Sequence, residues 1–295
     1  MSSTFATELR RVAGAPLVQY RELMALKRRV LEALASWLFQ QDSERRAKMD
    51  SYIASHPAVQ DYAAFRAKTE RERKSWLQWP AARRACAVRP EDYDAEAERY
   101  HLYVQWQCAE QVAALREQAR AGGVALYLDF PLGTNRDGYD VWREPALFAL
   151  DMNGGAPPDG LFIKGQNWGF PPLHPEAIRR QGYRYYIDCL RHHMACANML
   201  RMDHVMGLHR AFWIPDGFSA ADGLYLHYGR ALQKLLLLLV GLARQDVWGH
   251  KNHGFVSFAA GRGLHSCLGP CTMDYLPAAA GPSSGKSRDL PRRIG

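Results

Sequence analysis

The sequence contains no glutamate after Glu176. Its most apolar run, residues 235–240, falls far short of the roughly 20 residues that a membrane-spanning helix needs. The N-terminus lacks a basic region followed by an apolar stretch, so no secretory signal is predicted. The cysteines form no Cys-x-x-Cys pair, and their irregular spacing favours free thiols in a reducing compartment. We therefore expect a cytoplasmic protein that binds no membrane. The six cysteines are Cys86, Cys108, Cys189, Cys196, Cys267 and Cys271.

The composition is that of a soluble globular protein, with 47% hydrophobic and 23% charged residues in a chain of 295. The net charge is +8, and much of the excess is arginine spread through the first 120 and the last 50 residues. A nucleic-acid-binding protein usually concentrates such charge in a stripe on a recognisable module, and no such module is present. We therefore predict a charged surface that binds no nucleic acid.

Residues 1–122 are predicted to be mostly helical. Leu26, Val30, Leu34 and Leu38 recur at helical spacing, and a long helix is predicted over residues 96–120. That helix presents an aromatic face and ends at a glycine pair. The aromatic face consists of Tyr100, Tyr103 and Trp106, and the glycines are Gly122 and Gly123.

Residues 123–230 have the texture of an α/β unit. Residues 124–128 form a continuous apolar run, closed by Asp129, that indicates a fully buried parallel strand. A long Gly- and Pro-rich stretch follows over 131–175, then a helix over 175–196 and a second strand. A strand, a long loop, a helix and a strand make a βα unit, and in βα barrels the active site lies among such loops. Residues 231–295 are predicted to form a helix, within 228–244, followed by a poorly ordered basic tail.

The segment 201–207, RMDHVMG, places a guanidinium, a carboxylate and an imidazole within four residues. Alternation in a strand would place Arg201 and Asp203 on the same side. A carboxylate beside a fixed cation stays ionised at neutral pH, as a nucleophile must. An aromatic run follows at 212–215, and aromatic faces suit sugar rings. The residues alone leave open whether Asp203 is a nucleophile or a structural partner of Arg201, since ion-pair networks also perturb carboxylates.

Six blocks of residues 16–230 resemble the 4-alpha-glucanotransferases, also called amylomaltases, of the alpha-amylase superfamily. They occur in the family's order and at its spacing. The blocks are 98–106 ERYHLYVQW, 127–133 YLDFPLG, 137–142 DGYDVW, 155–159 GAPPD, 165–171 GQNWGFP and 201–204 RMDH.

The resemblance implies a partial TIM (β/α)8-type barrel with a large helical N-terminal insertion region. It implies transfer of an alpha-1,4-glucan segment to a glucose or glucan acceptor by a retaining double displacement, without a cofactor or metal. Asp203 would be the nucleophile, Arg201 would hold its carboxylate, and His204 would bind a sugar hydroxyl. The implied partners are alpha-1,4-glucans and maltooligosaccharides.

The resemblance also implies a loop over the glucan. Trp168 would stack on a glucose ring, while Asp159 and Gln166 would bind hydroxyls. Asp140 would shape the site without reacting. The chain departs from the family where Gly160 and Leu161 replace the aromatic residues that follow the aspartate in many relatives. For Asp129, which ends a strand, a helix cap or loop anchor is the expected role.

The acid/base glutamate that the resemblance implies after Asp203 has no candidate in this sequence. We therefore expect a partial chain, with two or three of the eight barrel strands and little or no glucan transfer on its own. A second class of function is a non-catalytic glucan-binding remnant. A third is a metal or nucleic-acid module at the C-terminus, for which the ligands would be His250, His253, His265, Cys267 and Cys271.

Overall fold

The computed structural model describes residues 3–84, 88–228, 248–249 and 256–259. Three predicted features lie outside the described residues: the helix over 228–244 apart from its first residue, the candidate ligands His250, His253, His265, Cys267 and Cys271, and the basic tail apart from residues 248–249 and 256–259. Those two short segments form strands, where the sequence predicted a poorly ordered tail. Nine α-helices are described: α1 Ser3–Ala13, α2 Tyr20–Phe39, α3 Glu44–Ser55, α4 Ala58–Glu72, α5 Ala81–Arg84, α6 Ala95–Ala121, α7 Tyr139–Arg143, α8 Pro175–Arg180 and α9 Arg184–Cys196. Eight strands are described: β1 Tyr127–Phe130, β2 Met152–Ala156, β3 Gln166–Asn167, β4 Met199–Met202, β5 Arg210–Pro215, β6 Leu224–His227, β7 Trp248–Gly249 and β8 Val256–Ala259.

Helices α1–α6 make up the N-terminal part of the chain. The predicted long helix is confirmed as α6, which begins after Asp94, whose side chain accepts the backbone N–H of Glu96 at 3.0 Å. Its aromatic face packs against α2, α3 and α4 through a cluster of buried apolar side chains. The cluster contains Ala35, Leu38, Met49, Ile53, Ala63, Leu102, Tyr103 and Trp106. Among the helices of the described residues, none is both long and apolar enough to cross a membrane.

A charged cluster joins α2, α4 and α6. Both guanidinium Nη atoms of Arg28 donate to the Glu70 carboxylate, at 2.9 and 2.7 Å, and Nε2 of His101 lies 3.0 Å from the same carboxylate. Burial acts to raise the pKa of Glu70, but the hydrogen bonds to His101 and Arg28 outweigh it and bring that pKa to about 2, from 4.5. Glu70 therefore stabilises the fold in its ionised form.

The first prediction concerns the pH dependence of stability. Because the folded-state pKa of Glu70 is depressed, its stabilisation is complete above about pH 4.5 and is lost as the pH falls towards 2. We expect Glu70→Gln to unfold more easily than the unmodified chain at pH 7, and the difference in unfolding free energy to shrink between pH 4.5 and 2. Urea titrations across this range measure it. Glu91→Gln, at an exposed site, is the control; a Glu70→Gln difference independent of pH would contradict the assignment.

The strand expected over 124–128 is displaced and more exposed than predicted. The structure has β1 at Tyr127–Phe130, and its side chains alternate in exposure, so the expectation of a fully buried strand was wrong. Leu128 and Phe130 face the helices, while Tyr127 and Asp129 face the other side. β1 pairs in parallel with β4, in a register that places Asp129 beside Arg201. The parallel arrangement predicted for the two strands is thereby confirmed.

The segment between the parallel strands is more ordered than its sequence indicates. It contains α7, β2 and β3, whereas the sequence predicted a long irregular loop over 131–175. The predicted single helix over 175–196 is divided into α8 and α9, because Gly182 and Tyr183 both adopt left-handed backbone conformations, with φ of 61° and 62°. The apolar periodicity continues across this point, but the helix ends there because the backbone turns at Gly182 and Tyr183.

Two sheets of four strands are described. In the first the order is β1-β4-β8-β7, and β8 runs antiparallel to β4. In the second, β3-β2-β5-β6, all neighbours are antiparallel. The described part of the chain therefore combines helices with one mixed and one antiparallel sheet, and only β1 and β4 pair in the parallel manner of a barrel.

Candidate active site

The nucleophile candidate lies directly beyond the carboxyl end of β4. Asp203 follows Met202, the last strand residue, and its side chain is 51% exposed. Oδ1 of Asp203 accepts the backbone N–H of His204 at 2.8 Å. His204 itself adopts a left-handed conformation, with φ 48° and ψ 48°, which is uncommon outside glycine. The turn after β4 thus directs the carboxylate of Asp203 outward.

Arg201 is shared between two carboxylates. Its Nη1 atom donates to both oxygens of Asp129, at 3.0 and 3.1 Å, while its Nη2 atom lies 3.9 Å from Oδ2 of Asp203. The hydrogen bond to Asp129 raises the pKa of Arg201. The expectation that Asp129 would cap a helix or anchor a loop was therefore wrong, because the parallel register of β1 and β4 pairs it with Arg201.

A cavity of about 260 Å³ opens beside Asp203. Four of the residues predicted from the sequence line it, and the rest of its wall is mostly aromatic and aliphatic. The four are Asp140, Trp168, Asp203 and His204. Arg201, Asp159 and Gln166 do not line it. An apolar cavity with a carboxylate, an imidazole and an indole in its wall can bind a ring that has both apolar faces and polar edges.

Trp168 faces His204 across the cavity wall. The indole and imidazole rings meet edge to face, with centroids 5.1 Å apart and planes at 79°. Nε1 of Trp168 donates to the side-chain oxygen of Gln166 at 3.0 Å. Gln166 thus accepts a hydrogen bond from the indole and does not itself line the cavity.

His204 has an environment that favours its neutral form. Burial lowers the pKa of His204, and the nearby Asp203 carboxylate only partly opposes this effect. Nε2 of His204 is buried and makes no hydrogen bond to any described residue. A neutral imidazole with an unused ring nitrogen can donate to or accept from a ligand hydroxyl.

Asp159 is turned towards its own loop. Its Oδ1 atom accepts the backbone N–H groups of Leu161 and Phe162, at 2.8 and 2.6 Å. This arrangement stabilises the loop and keeps the carboxylate away from the cavity wall. The structure therefore does not bring Asp159 together with Asp203 and Trp168.

Asp140 lies at another part of the cavity wall. Its Oδ2 atom accepts hydrogen bonds from Tyr185, at 3.1 Å, and from Thr134, at 3.4 Å. Burial, followed by the charge of Asp140, raises the pKa of Tyr185, so this phenol stays protonated and donates. The carboxylate of Asp140 is thus held by hydroxyl groups at a fixed position.

Helix α9 supplies cavity residues that sequence reasoning missed. Tyr185, Cys189 and His193 recur every four residues along one face of the helix and line the cavity together with Tyr186. Burial raises the pKa of Cys189 to about 11, so its thiol is unreactive at neutral pH. The i, i+4, i+8 spacing was a signal in the sequence, but it indicates only a common face and not what that face contacts.

Among residues 3–84, 88–228, 248–249 and 256–259, no three His, Cys, Asp or Glu side chains come together as a metal site would require. The wall of the described cavity offers carboxylates, imidazoles, hydroxyl groups and aromatic rings.

The relatives found by sequence comparison share one name, 4-alpha-glucanotransferase. The chain is 39% identical over 158 residues to the 4-alpha-glucanotransferase of Haemophilus influenzae, a match that covers 53% of this chain and 22% of the relative. It is 30% identical over 203 residues to that of Aquifex aeolicus, covering 64% of this chain and 42% of the relative. The chain thus spans less than half the length of these relatives.

Two solved structures have similar folds. The amylomaltase of Corynebacterium glutamicum matches with a TM-score of 0.61 and 30% identity, over 76% of this chain and 30% of that one. The amylomaltase of Streptococcus agalactiae, solved with acarbose, matches with a TM-score of 0.66 and 24% identity, over 74% and 48%. A family model described as 4-alpha-glucanotransferase matches residues 2–246. The chain therefore belongs to the 4-alpha-glucanotransferase family.

Proposed function

We propose that the cavity binds an alpha-1,4-glucan and that Asp203 is the nucleophile of a retaining glucan transfer. The observation that carries this proposal is the position of Asp203, outward at the end of β4, in the wall of one cavity with Trp168 and His204. A glucose ring in that cavity could stack on the indole while its hydroxyl groups meet the imidazole. Maltooligosaccharides are the ligands that this arrangement fits.

The proposed reaction has two displacements. An oxygen of the Asp203 carboxylate attacks the anomeric carbon and forms an ester, while the bond to the leaving sugar oxygen breaks and that oxygen takes up a proton. A hydroxyl of the acceptor glucan then attacks the same carbon, loses its proton and releases the carboxylate. Retaining enzymes place a second carboxylic group about 5 Å from the nucleophile to move these protons.

We infer that Asp129 and Arg201 together fix the position of the Asp203 carboxylate. The guanidinium is held by two hydrogen bonds from Nη1 to Asp129, and this leaves Nη2 directed towards Asp203 at 3.9 Å. Asp129 thus holds Arg201, and Arg201 in turn holds the Asp203 carboxylate. Asp140 would shape the cavity through its bonds to Tyr185 and Thr134, while Asp159 and Gln166 would reach sugar hydroxyls only after the loop rearranges.

We also infer that the fold is part of a larger barrel. The parallel pair β1 and β4, with α8 and α9 between them in sequence, is the repeating unit of a TIM barrel. We assign this pair to a partial (β/α)8 barrel and the helices of residues 1–122 to an insertion region. Cys108, Cys189 and Cys196 are free thiols, which supports a cytoplasmic location for the reaction.

The second prediction tests glucan binding. Trp168→Ala removes the indole from the cavity wall, and we expect maltoheptaose affinity to fall about tenfold, the effect of losing roughly 1.4 kcal/mol of stacking. Isothermal titration calorimetry measures it. Trp37→Ala is the matched control, because that indole is 56% exposed on α2 and does not line the cavity. Equal affinities for the two variants would contradict glucan stacking on Trp168.

The second candidate function is that this chain, on its own, binds glucans without catalysing their transfer. The absence of any glutamate after Glu176 favours it, because the family's acid/base residue would follow Asp203. Loss of a general acid typically slows a reaction by about 10² to 10⁴. This candidate predicts maltoheptaose binding without turnover. Incubation of the chain with maltotriose distinguishes the two, since transfer yields glucose and longer oligomers and binding alone yields neither.

A further inference from the structure

The Phe170 ring packs against two backbone positions that carry no side chain. A Cβ atom on Gly133 would lie 2.3 Å from Cδ2 of this ring, and a Cβ atom on Gly154 would lie 2.6 Å from Cε2. Both distances are far shorter than van der Waals contact. Neither position can therefore carry even a methyl group unless the ring moves. We refer to Gly133 and Gly154 as the glycine pair.

The glycine pair comes from two different elements. Gly133 follows β1, and Gly154 lies in the middle of β2. The backbone N–H of Gly154 donates to the carbonyl of Phe170 at 2.8 Å, and its carbonyl accepts the backbone N–H of Trp168 at 2.9 Å. One residue of β2 thus holds the backbone on both sides of Gly169 and also makes room for the ring of Phe170.

Phe170 in turn contacts the indole of Trp168. Their rings are stacked, with centroids 5.8 Å apart and planes at 21°. Besides this stack, the indole has its hydrogen bond to Gln166 and its edge contact with His204. Gln166 lies only two residues away on the same segment. Gln166 connects the indole to β2 through the pairing of β3 with that strand, and the stack with Phe170 connects the plane of the indole to the glycine pair.

We propose that the glycine pair and Phe170 are positioning residues that set the plane of Trp168 in the cavity. Phe170 acts through Trp168: an indole held at this angle presents its face to a glucose unit beside Asp203, and a displaced indole does not. This inference rests on the proposed glucan binding. Its structural part, the dependence of Trp168 on Phe170 and Gly154, is measurable without any sugar.

The third prediction uses the full chain labelled with 5-fluorotryptophan. Its ¹⁹F resonance for Trp168 is identified by its loss in Trp168→Phe. We expect Phe170→Leu and Gly154→Ala each to shift that resonance and to weaken maltoheptaose binding about two- to tenfold, the size of an aromatic-pair contact. Gly122→Ala is the matched control, because Gly122 follows α6, does not line the cavity, and a Cβ atom there would meet only backbone oxygens, at 3.4 and 3.6 Å; it should change neither quantity.

The double variant Gly154→Ala/Phe170→Leu sharpens the test. If the methyl group acts only by displacing the ring, its effect on affinity should nearly vanish once the ring is gone, so the two effects should not add. Additive effects, or a Trp168 resonance unchanged by Phe170→Leu, would overturn the proposal. Phe170→Leu introduces no clash and decides the question even if Gly154→Ala fails to fold. A resonance that shifts in a chain that does not bind maltoheptaose would support the positioning role and refute the glucan assignment.

Discussion

Replacing Asp203 with asparagine is expected to abolish covalent capture by 5-fluoro-α-D-glucosyl fluoride. In the proposed reaction of the unmodified chain, a carboxylate oxygen of Asp203 would bond to the anomeric carbon, and fluoride would depart with the electron pair of the carbon–fluorine bond. Fluoride leaves without a proton donor, so capture does not require the acid/base glutamate. The amide of asparagine is a poor nucleophile, and we expect the capture rate to fall on the order of 10⁴-fold or more, as when other catalytic nucleophiles are removed.

Two matched variants accompany this measurement, which follows adduct formation by intact mass spectrometry. Asp151→Asn, at an exposed site outside the cavity, should leave the capture rate unchanged. Asp140→Asn retains an oxygen that can accept from Tyr185 and should slow capture far less than Asp203→Asn. If Asp140→Asn proved the more damaging variant, the roles assigned to the two aspartates would be reversed.

Replacing Trp142 with alanine is expected to cause the largest loss of stability. The side chain of Trp142 on α7 is fully buried, and its ring stacks on Phe65 of α4, with centroids 4.8 Å apart. Tyr139 and Trp79 pack around it at 5.8 and 6.4 Å. Removing a buried indole loses its apolar burial and leaves a cavity, so we expect a cost of about 3–5 kcal/mol.

Urea unfolding monitored by circular dichroism measures this cost. Trp37→Ala serves again as the control, because substitution of an exposed side chain usually changes stability by less than about 0.5 kcal/mol. Since Trp142 joins the N-terminal helices to the segment that carries Asp140, its loss should also weaken maltoheptaose binding. A cost below about 1 kcal/mol would show that this aromatic cluster does not unite the two regions.

The sequence predicts those elements whose apolar residues recur with the period of the helix or strand that buries them. Helix α6 was predicted within a residue at each end, because its aromatic face recurs at helical spacing and a glycine pair follows its last turn. The antiparallel sheet was missed. Strand β2 reads Met-Asn-Gly-Gly-Ala, a composition that disfavours strands, and β5 and Phe170 supply its pairing. Close approach explains its glycines: a Cβ atom on Gly155 would lie 2.2 Å from the carbonyl oxygen of Gln166.

In the site, too, some residues could be predicted from the sequence and others could not. The roles of Asp203, His204 and Trp168 were predicted from the resemblance of the RMDH and GQNWGFP blocks to the family, and the structure brings these three residues to the wall of one cavity. The Asp129–Arg201 pair could not be predicted in the same way, because it depends on the register between strands 72 residues apart. The ligand role of Asp159 was predicted from the same resemblance, but its neighbours Leu161 and Phe162 offer backbone N–H groups that occupy the carboxylate.

The most direct measurement is to locate the sugar on the chain after capture by 5-fluoro-α-D-glucosyl fluoride. Proteolysis and tandem mass spectrometry of the unmodified protein identify the esterified residue. We predict one adduct per chain, on the carboxylate of Asp203. An adduct on Asp129 or Asp140, or a chain that binds maltoheptaose and forms no adduct, would contradict the assignment of Asp203 as the nucleophile.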